Sequence, residues 1–354
     1  MNDVPVQRSL LSRRGFLAAT AAAAALTACG APTTSSGGSG GGATGKKIKA
    51  ATYIPSSYKD LFPAFQTFFD AAGKASDGAL EFDMFDSGKL LAADQLIPGL
   101  TRGVADLVFQ TSSYVSTSYP ILGAIELPFS NEGTEQVERA LAVDSPLYTL
   151  FNEQLGKKSL HLLGSMPTAP EYLWTMKKPI RTPSDVKGMR IRTAGAVEGE
   201  TVKALGGSPV SMSSAEVYEA LERGTIDGMI SYPGTVISRN LQEVLKYGTR
   251  AHFGLYSVDI YVRKKWFDGS DEERKAALLD GARAYMKKGT AHQLKVHEEE
   301  YFPAMKKAGL EILEPSAAQL KTFTQACKDV EDWWRKQVGD KAAADKALQL
   351  VQSA

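Results

Sequence analysis

From residue 46 onward, the spacing of the apolar residues switches between a period of two and a period of about 3.6, which predicts strands and helices in turn. In its first part the chain has predicted strands at 47–53, 80–85 and 107–110, and predicted helices at 60–75 and 94–103. Strands that alternate with helices are typical of an α/β fold, and we expect that class here.

A second unit has the same order, with strands at 189–193 and 228–231 and helices at 197–205 and 213–224. Both units carry the pattern L-x-R-G-x-x-D between a helix and the next strand, at 100–106 and at 221–227. Two similar lobes would produce this repeat, and so would two independent uses of one common turn. Ser213 and Glu216 have the spacing of a capping box, which favours a helix start at Ser214.

Beyond Trp266 the pattern becomes helical. A capping sequence at 270–273 starts one helix, and further helices are predicted at 289–307, 317–338 and 341–351. About 310 residues follow residue 45, which is enough chain for two lobes, each with a core of its own.

The first 29 residues have the order of an export signal. Arg13 and Arg14 precede Phe16 and resemble a twin-arginine motif, and an apolar run follows at 17–26. That run is shorter than the roughly 20 residues that a membrane-spanning helix needs. The segment ends in Leu-Thr-Ala-Cys29, which resembles a lipobox; an ordinary cleaved signal with a chance cysteine is the alternative. Residues 30–45 are rich in Gly, Ser and Thr and predict a flexible tether.

Charge and cysteine content narrow the function. The chain has 41 Lys and Arg against 40 Asp and Glu, so its formal charge of +1 gives no reason to expect a nucleic-acid partner. Cys29 and Cys327 are the two cysteines. If Cys29 carries a lipid, Cys327 is left without a disulfide partner, and we expect it to be a buried small apolar residue.

The sequence offers little for catalysis. It has four histidines, and His292 and His297 are five residues apart, so they do not lie above each other on one helix face. No Cys/His group has metal-ligand spacing and no phosphate-binding loop is present, so we expect no metal, no cofactor and no enzymatic activity. No second apolar run is long enough to span a membrane, so a different chain must move any solute across it.

Several blocks, in this order, resemble the receptors of tripartite ATP-independent periplasmic (TRAP) transporters. They are Gly88-Lys89-Leu90, Gly103 with Asp106, Leu127-Pro128-Phe129, Lys187 to Arg192, Gly206 to Val210, Glu216 to Leu221, and Gly224 to Gly228. The resemblance implies two α/β lobes of the periplasmic-binding-protein type, a hinge between them, and long C-terminal helices that brace both. It also implies a cleft that closes on one small organic acid and delivers it to ion-driven TRAP membrane permease subunits.

On this basis we expect five regions. They are a twin-arginine lipoprotein signal at 1–29, the tether at 30–45, lobe I at 46–169 with about 254–297, lobe II at 170–253 with about 298–330, and C-terminal helices at 331–354. The protein would be exported and held by Cys29 at the outer face of the cytoplasmic membrane or in the periplasm.

Arg192 is the strongest candidate for a ligand-binding residue. It shares a strand face with Arg190, and a guanidinium donates two parallel hydrogen bonds to a carboxylate. The alternative is that both arginines are solvated surface residues. The resemblance implies that Arg192 occupies the position of the family's carboxylate-binding arginine and that Arg190 occupies a variable position. Many family members have a second arginine about twenty residues earlier, where this chain has Tyr172. A monocarboxylate is therefore expected rather than a dicarboxylate.

Other candidates follow from their positions near strand ends, where α/β folds bind ligands. Tyr53, Tyr114, Trp174 and Tyr232 are expected either to form aromatic walls of the cleft or to pack in the core. Thr111, Ser214 and Ser231 are expected to make polar contacts. Glu171 is expected either to contact a ligand hydroxyl or ammonium group or to be a solvated acid. Alternatives for the whole protein are a receptor of an ATP-driven importer, a ligand-presenting partner of a sensor kinase and, more remotely, a secreted hydrolase.

Overall fold

The structure is a computed structural model that describes residues 47–354. The predicted export signal, with Arg13, Arg14 and Cys29, and the predicted tether lie outside the described residues. In the described part, the chain alternates strands with helices and so confirms the predicted α/β class.

The strands are β1 Ile48–Ala51, β2 Phe82–Phe85, β3 Leu107–Thr111, β4 Leu160–Pro167, β5 Tyr172–Thr175, β6 Arg190–Thr193, β7 Ser208–Ser211, β8 Gly228–Ser231, β9 Tyr247–Thr249, β10 Ser257–Arg263 and β11 Glu311–Leu313. The helices are α1 Phe62–Ala75, α2 Leu96–Thr101, α3 Ser112–Ser116, α4 Thr134–Ala140, α5 Pro146–Gly156, α6 Ala196–Ala204, α7 Val217–Glu222, α8 Pro233–Ser238, α9 Lys264–Asp268, α10 Glu272–Val296, α11 Phe302–Lys307, α12 Ala317–Ala326, α13 Val330–Val338 and α14 Lys341–Gln352.

The strands form two sheets, each the centre of one lobe. The first sheet has the order β2-β1-β3-β10-β4, and we call the elements around it lobe I. The second sheet has the order β11-β9-β5-β8-β6-β7 and defines lobe II. In the first sheet β1 is parallel to β2 and β3, and in the second β6 is parallel to β7 and β8. β10 in the first sheet and β5 in the second are antiparallel to both of their neighbours.

Two extended segments join the lobes. The chain leaves lobe I at 168–171 and returns from lobe II at 250–256, and the two segments run side by side. Thr168 N donates to the Tyr256 carbonyl at 2.8 Å, and Glu171 N donates to the Gly254 carbonyl at 2.8 Å. These two crossing segments form the hinge, because a rotation between the lobes must bend them.

The junction repeat has the same structure in both lobes. Gly103 and Gly224 both have positive φ, 80° and 65°, which suits glycine at the end of a helix. The repeat's aspartate then accepts a hydrogen bond from a main-chain N–H of the neighbouring strand: Asp106 from Lys49 at 3.1 Å, and Asp227 from Arg190 at 2.9 Å. Equivalent positions in the two lobes explain the repeat.

The core of lobe I is aromatic. Phe65 of α1 lies 4.3 Å, between ring centroids, from Phe109 of β3 and 6.3 Å from Tyr285 of α10. Phe68 adds an edge-on contact with Phe109. These contacts fix α1 and α10 on one face of the first sheet and so set the position of the strand ends that meet lobe II.

A long helical segment contacts both lobes. α10 packs on lobe I, continues through one π-helical turn at 297–301, and becomes α11, which contacts α8 of lobe II. The predicted helix start at Gly289 is wrong, because α10 runs through Gly289 without a break. A Cβ at this position would collide with Met166 and Ala64, so glycine is needed here for close helix packing, and it does not mark a helix end.

The C-terminal helices also bridge the lobes. The predicted single helix at 317–338 is wrong: it is divided at 327–329 into α12 and α13. The Trp334 indole in α13 donates to the Pro120 carbonyl of lobe I at 2.6 Å. α13 also packs against α6 of lobe II, and Gly123 lies close to both Trp334 and Val197 of α6. Cys327 is buried, as predicted, and no disulfide forms in the described part of the chain.

Across residues 47–354, no helix combines the length and apolar character that crossing a membrane requires.

Candidate functional site

Arg192 is buried between the lobes. Its strand, β6, has β7 and β8 on its two sides, so its side chain leaves the middle of the second sheet. Three of its N–H groups are in use: Nε donates to Met212 O at 3.0 Å, Nη1 to Ile230 O at 3.5 Å, and Nη2 to the Tyr114 hydroxyl at 3.0 Å. A guanidinium has five N–H donors, so one remains on each terminal nitrogen, the number that a bidentate carboxylate needs.

The two arginines of β6 have different roles. Arg190 is exposed and forms a bidentate ion pair with Asp227, with Nη2 2.9 Å from Oδ1 and Nε 3.1 Å from Oδ2. Arg192 is 2% exposed and has no acidic partner within 4.0 Å in the described residues. A buried cation without an ion-pair partner is costly, and the nearby Tyr114 and buried Glu198 favour the charged guanidinium.

Hydrogen bonds across the cleft hold the lobes closed. Tyr114 follows β3 in lobe I, and its hydroxyl accepts from Arg192 and from Ser214 N, the latter at 2.9 Å; both donors belong to lobe II. The Ser214 hydroxyl lies 3.3 Å from the hydroxyl of Tyr58 in lobe I. These bonds exist only when the two lobes meet, so the structure is the closed form of the cleft.

Tyr53 and Thr111 line the lobe I side of the cleft. The Tyr53 hydroxyl is 2.8 Å from Thr111 Oγ1, and its ring lies 5.5 Å, between centroids, from that of Tyr114. Burial raises the pKa of Tyr53 well above its ordinary value, so the hydroxyl stays neutral. The three residues together form one polar-edged aromatic wall.

Arg239 brings a second cation to the same place, and sequence reasoning did not find it. It follows α8 in lobe II, and its Nε donates to the Tyr58 hydroxyl at 3.2 Å while Nη2 lies 3.5 Å from Ser214 Oγ. The guanidinium also lies over the Tyr58 ring, 5.2 Å from its centroid. It has no ion-pair partner among the described acidic residues, so Ser214 lies between two arginines that lack a carboxylate.

Three buried carboxyl groups, Glu126, Glu171 and Glu198, surround the hinge end of the site, and we call them the acid cluster. Burial, with the neighbouring Glu198 charge, raises the pKa of Glu126 to about 8. Burial raises the pKa of Glu198 to about 7, against the effect of Arg192. Burial and the charges of Glu198 and Glu126 also raise the pKa of Glu171 well above its usual range. Burial therefore favours the neutral form of all three acids, and Glu198, with a pKa of about 7, is divided between its neutral and ionised forms at neutral pH.

The acid cluster is unevenly hydrogen-bonded. Glu126 accepts from Ser116 Oγ at 2.9 Å and from Ser112 Oγ at 3.2 Å, and Glu198 Oε2 accepts from Ala194 N at 2.6 Å. Glu171 is fully buried, and neither of its carboxyl oxygens has a partner in the described part of the chain. Of the three, Glu171 is the one whose bonding capacity is wholly unused.

The remaining predicted residues lie deeper. Trp174 packs in the core of lobe II, where its indole donates to the Ser231 carbonyl at 2.8 Å, so packing is favoured over a cleft wall. Ser231 Oγ donates to Thr235 Oγ1 at 3.0 Å. The Tyr232 ring lies edge-on to Tyr256, and its buried hydroxyl has no partner among the described residues.

An outer groove of about 770 Å³ lies between the lobes. Tyr53 and Tyr114 line it from lobe I, and Ala194 and Met212, which flank Arg192 in lobe II, line it from the other side. Among the described residues, no three His, Cys, Asp or Glu side chains are grouped to hold a metal ion.

Residues missed by sequence reasoning left weak signals. Glu126 is a single acid within the apolar run 120–129, and Glu198 shares a helix face with the buried Thr201 and Val202. A lone acid on an apolar face is a signal for a buried functional group. Arg239 has no such signal, because Ser238 and Asn240 around it are ordinary helix-end residues.

Two α/β lobes, a two-segment hinge and a closed cleft with unpaired arginines define the class of two-lobed solute-binding proteins. The model of "Bacterial extracellular solute-binding protein, family 7" matches residues 52–337, and the chain belongs to this family. The predicted resemblance to TRAP receptors is thereby confirmed, and the family consists of transporter receptors, not enzymes.

Individual relatives agree with this assignment. The chain is 27% identical, over 294 residues, to the 2,3-diketo-L-gulonate-binding periplasmic protein YiaO of Escherichia coli, covering 82% of this chain and 87% of that protein. Its fold is similar to a TRAP periplasmic solute-binding protein from Roseobacter denitrificans with bound β-D-glucuronate, with a TM-score of 0.79, 20% identity, and coverage of 87% and 100%. It is also similar to the Bordetella pertussis receptor DctP6, which binds pyroglutamic acid, with a TM-score of 0.78, 21% identity, and coverage of 87% and 100%.

Proposed function

We propose that this protein is the extracytoplasmic receptor of a TRAP-type transporter and that it captures a small monocarboxylate in its interlobe cleft. The observation that carries the proposal is Arg192, which is buried, lacks an acidic partner among the described residues, and keeps one N–H free on each terminal nitrogen. Tyr53, Thr111, Tyr114 and Ser214 complete the proposed binding wall. Ser231, Tyr232 and Glu171 are proposed to line its inner end.

Three relatives support a monocarboxylate, whereas others, from Bacillus subtilis and Rhodobacter capsulatus, are C4-dicarboxylate-binding proteins. Diketogulonate, glucuronate and pyroglutamate, the ligands in the names of the three relatives, each carry one carboxylate. A dicarboxylate is the second candidate, because Arg239 places another unpaired guanidinium beside Ser214. In the closed form Arg239 already has two interactions, a hydrogen bond to the Tyr58 hydroxyl and a position over the Tyr58 ring. Its burial there does not require a second carboxylate, so the monocarboxylate is favoured.

The mechanism is capture by closure. In the open form the solute enters through the outer groove, and Arg192 takes its carboxylate. The lobes then close, because only the closed form lets Tyr114 of lobe I and Ser214 of lobe II contact one ligand together. Micromolar to nanomolar affinity would require about −8 to −12 kcal/mol. The closed surface is proposed to be what the membrane permease subunits recognise.

The test uses the two arginines of β6 as a matched pair. Titration calorimetry would compare the wild type, Arg192→Ala and Arg190→Ala against D-glucuronate, pyroglutamate, succinate, glucose and choline. Leaving a buried charge unpaired costs about 2–5 kcal/mol, so Arg192→Ala should weaken monocarboxylate binding by about 30-fold or more. Arg190→Ala should stay within about threefold of the wild type, since Arg190 is exposed. Binding of only glucose or choline, or equal affinity of Arg192→Ala and wild type, would overturn the proposal.

The envelope location is proposed from the N-terminal residues. Arg13 and Arg14 would direct export, and Cys29 would carry a lipid that holds the receptor at the outer face of the membrane. The predicted lobe bounds, 46–169 with 254–297 and 170–253 with 298–330, stay part of this proposal. In cells, Cys29→Ser should move the receptor from the membrane fraction to the soluble envelope fraction, whereas Cys327→Ser should not. A membrane-bound Cys29→Ser protein would contradict the lipid anchor.

A further inference from the structure

We propose that the Glu171 carboxyl group binds a hydroxyl group of the ligand, so that the cleft selects hydroxylated monocarboxylates over the matching acids without hydroxyls. The inference rests on the proposed function, because it places the ligand's carboxylate on Arg192. It adds a second point of recognition that belongs to a different element, the hinge.

Glu171 is held in place by its main chain while its side chain remains unused. Its N–H donates to the Gly254 carbonyl at 2.8 Å, and its own carbonyl accepts from Phe253 N at 3.1 Å. These bonds join the two crossing segments and fix the residue at the hinge. The carboxyl group is fully buried, and both of its oxygens lack a partner in the described part of the chain. A buried polar group without a partner is costly, so a partner from outside the protein is the natural explanation.

Glu171 and Arg192 face a common interior without contacting each other. No ion pair within 4.0 Å joins them in the described residues, although the Arg192 charge is close enough to act on the Glu171 carboxyl and oppose the rise in its pKa. In this proposal, the ligand carboxylate binds Arg192 and a hydroxyl of the same ligand reaches Glu171. The unpartnered hydroxyl of Tyr232 and the unpartnered Oε1 of Glu198 offer further sites in the same buried region.

The chemistry of the neighbours favours a hydroxyl group over an ammonium group. Burial, and then the neighbouring Glu198 and Glu126, raise the pKa of Glu171 and so favour its neutral form. A neutral carboxyl donates one hydrogen bond and accepts others, and a hydroxyl does the same, so the two are complementary. An ammonium group only donates and would require Glu171 to ionise next to two further acids.

The first experiment needs no variant of the protein. Titration calorimetry of the purified wild type compares D-gluconate with hexanoate, and then 2-hydroxybutanoate with butanoate and with 2-aminobutanoate. Within each series the hydroxy acid should bind at least about tenfold tighter, because an acid without the hydroxyl leaves Glu171 unpaired in a closed cleft. Equal affinity of hydroxy and deoxy acids would overturn the role of Glu171.

Two substitutions separate a neutral from an ionised Glu171. Glu171→Gln has nearly the same shape and still donates and accepts, so the preference for the hydroxy acid should stay within about threefold of the wild type. Glu171→Leu should lose the preference, and its affinity for butanoate should rise, because no unpaired acid is then left in the closed cleft. If 2-aminobutanoate binds most tightly and Glu171→Gln abolishes that binding, Glu171 acts as an ion and the proposal is wrong.

Arg192→Ala distinguishes this failure from failure of the proposed function. If no carboxylate binds the wild type, or if Arg192→Ala leaves acid binding unchanged, the receptor function itself is in error. If acids bind through Arg192 but hydroxyl groups make no difference, only the inference on Glu171 fails. Circular dichroism and thermal unfolding of each variant would show that the compared proteins are folded.

Discussion

Gly195 of lobe II lies directly against the Ser113 carbonyl of lobe I: a Cβ at position 195 would stand 2.5 Å from that oxygen. Gly195 has φ −129°, an extended conformation that any residue adopts, so the requirement at this position is for space. The contact joins residues of different lobes. The missing side chain at position 195 therefore determines how far the cleft closes, and it has no such effect once the lobes separate.

We predict that Gly195→Ala disfavours closure. Forcing a methyl group into a tight contact costs about 1–3 kcal/mol, so affinity for the monocarboxylate should fall about 5- to 150-fold. Titration calorimetry measures the affinity, and small-angle scattering with ligand measures closure. Gly199→Ala is the matched control in the same helix, α6, because its Cβ would have no neighbour closer than 3.8 Å. Equal losses in both variants would show that the effect comes from the helix and not from closure.

Tyr114→Phe should weaken ligand binding less than Arg192→Ala does. The substitution removes the hydroxyl that accepts from both Arg192 and Ser214 across the cleft, and a hydrogen bond to a charged group contributes about 1.5–3 kcal/mol. Part of this is recovered because the freed Arg192 N–H groups bind the ligand, so we expect a loss of about tenfold.

Tyr53→Phe is the control for Tyr114→Phe. It removes a hydroxyl from the neighbouring ring, but that hydroxyl bonds to Thr111 within lobe I and does not join the lobes. Its affinity should stay within about threefold of the wild type. A Tyr53→Phe loss equal to that of Tyr114→Phe would mean that the aromatic wall, and not the bond between lobes, controls affinity.

The C-terminal contribution to stability is tested at Trp334. Trp334→Phe removes the indole donor and leaves the Pro120 carbonyl unpaired, at a cost of about 1–3 kcal/mol, in addition to lost packing. Urea unfolding should show a lower midpoint with an unchanged slope. Trp333→Phe in the same helix is the control, because Trp333 is only partly buried, and it should lose much less. Similar midpoints for both variants would contradict the bridging role of α13.

Much of the fold follows from local patterns. Strands such as β3, β6 and β8, and helices such as α1 and α6, are predicted to within a few residues. The helix α1 has one buried face with a clear period, whereas β3 and β8 are buried throughout and are recognised by the L-x-R-G-x-x-D junction that precedes each of them. Strands β4, β5 and β10 escape prediction, since they are buried on nearly all sides and their apolar residues do not alternate. The helix start predicted at Gly289 is wrong because a glycine needed for close packing cannot be distinguished in sequence from one that ends a helix.

The candidate site, like the fold, is only partly predictable from local sequence patterns. Arg192 is identified because it lies in a block of residues that resembles a family motif, and Tyr114 and Ser214 because they lie near strand ends. Arg239 is not identified, because its role depends on Tyr58, 181 residues away in the chain. No local pattern encodes such a pair. The acid cluster likewise exists only after the hinge brings Glu171 to the helix that carries Glu198.

The last prediction concerns pH and Glu126. Its folded pKa is raised from 4.5 to about 8, first by burial and then by Glu198. Between these values the folded protein holds a proton that the unfolded chain has released, so its contribution to stability falls as pH rises from about 5 to 8 and then levels off. Glu198, with a pKa raised to about 7, acts in the same direction. Below about pH 6.5, His161 and His252, whose pKa values burial lowers to about 4, act in the opposite direction, so the thermal midpoint of the ligand-free wild type should decrease from about pH 6.5 to pH 8.

Glu126→Gln should remove much of that decrease. The amide keeps the shape and the hydrogen bonds to Ser112 and Ser116 but cannot ionise, so the variant should gain a few kcal/mol over the wild type at pH 8.5 and little at pH 5. Thermal unfolding from pH 5 to pH 9 checks this. Glu153→Gln, at an exposed position, should give a profile parallel to the wild type. A Glu126→Gln profile that is also parallel would mean that Glu126 is ionised in the folded protein, and the neutral form of Glu126 would then be wrong.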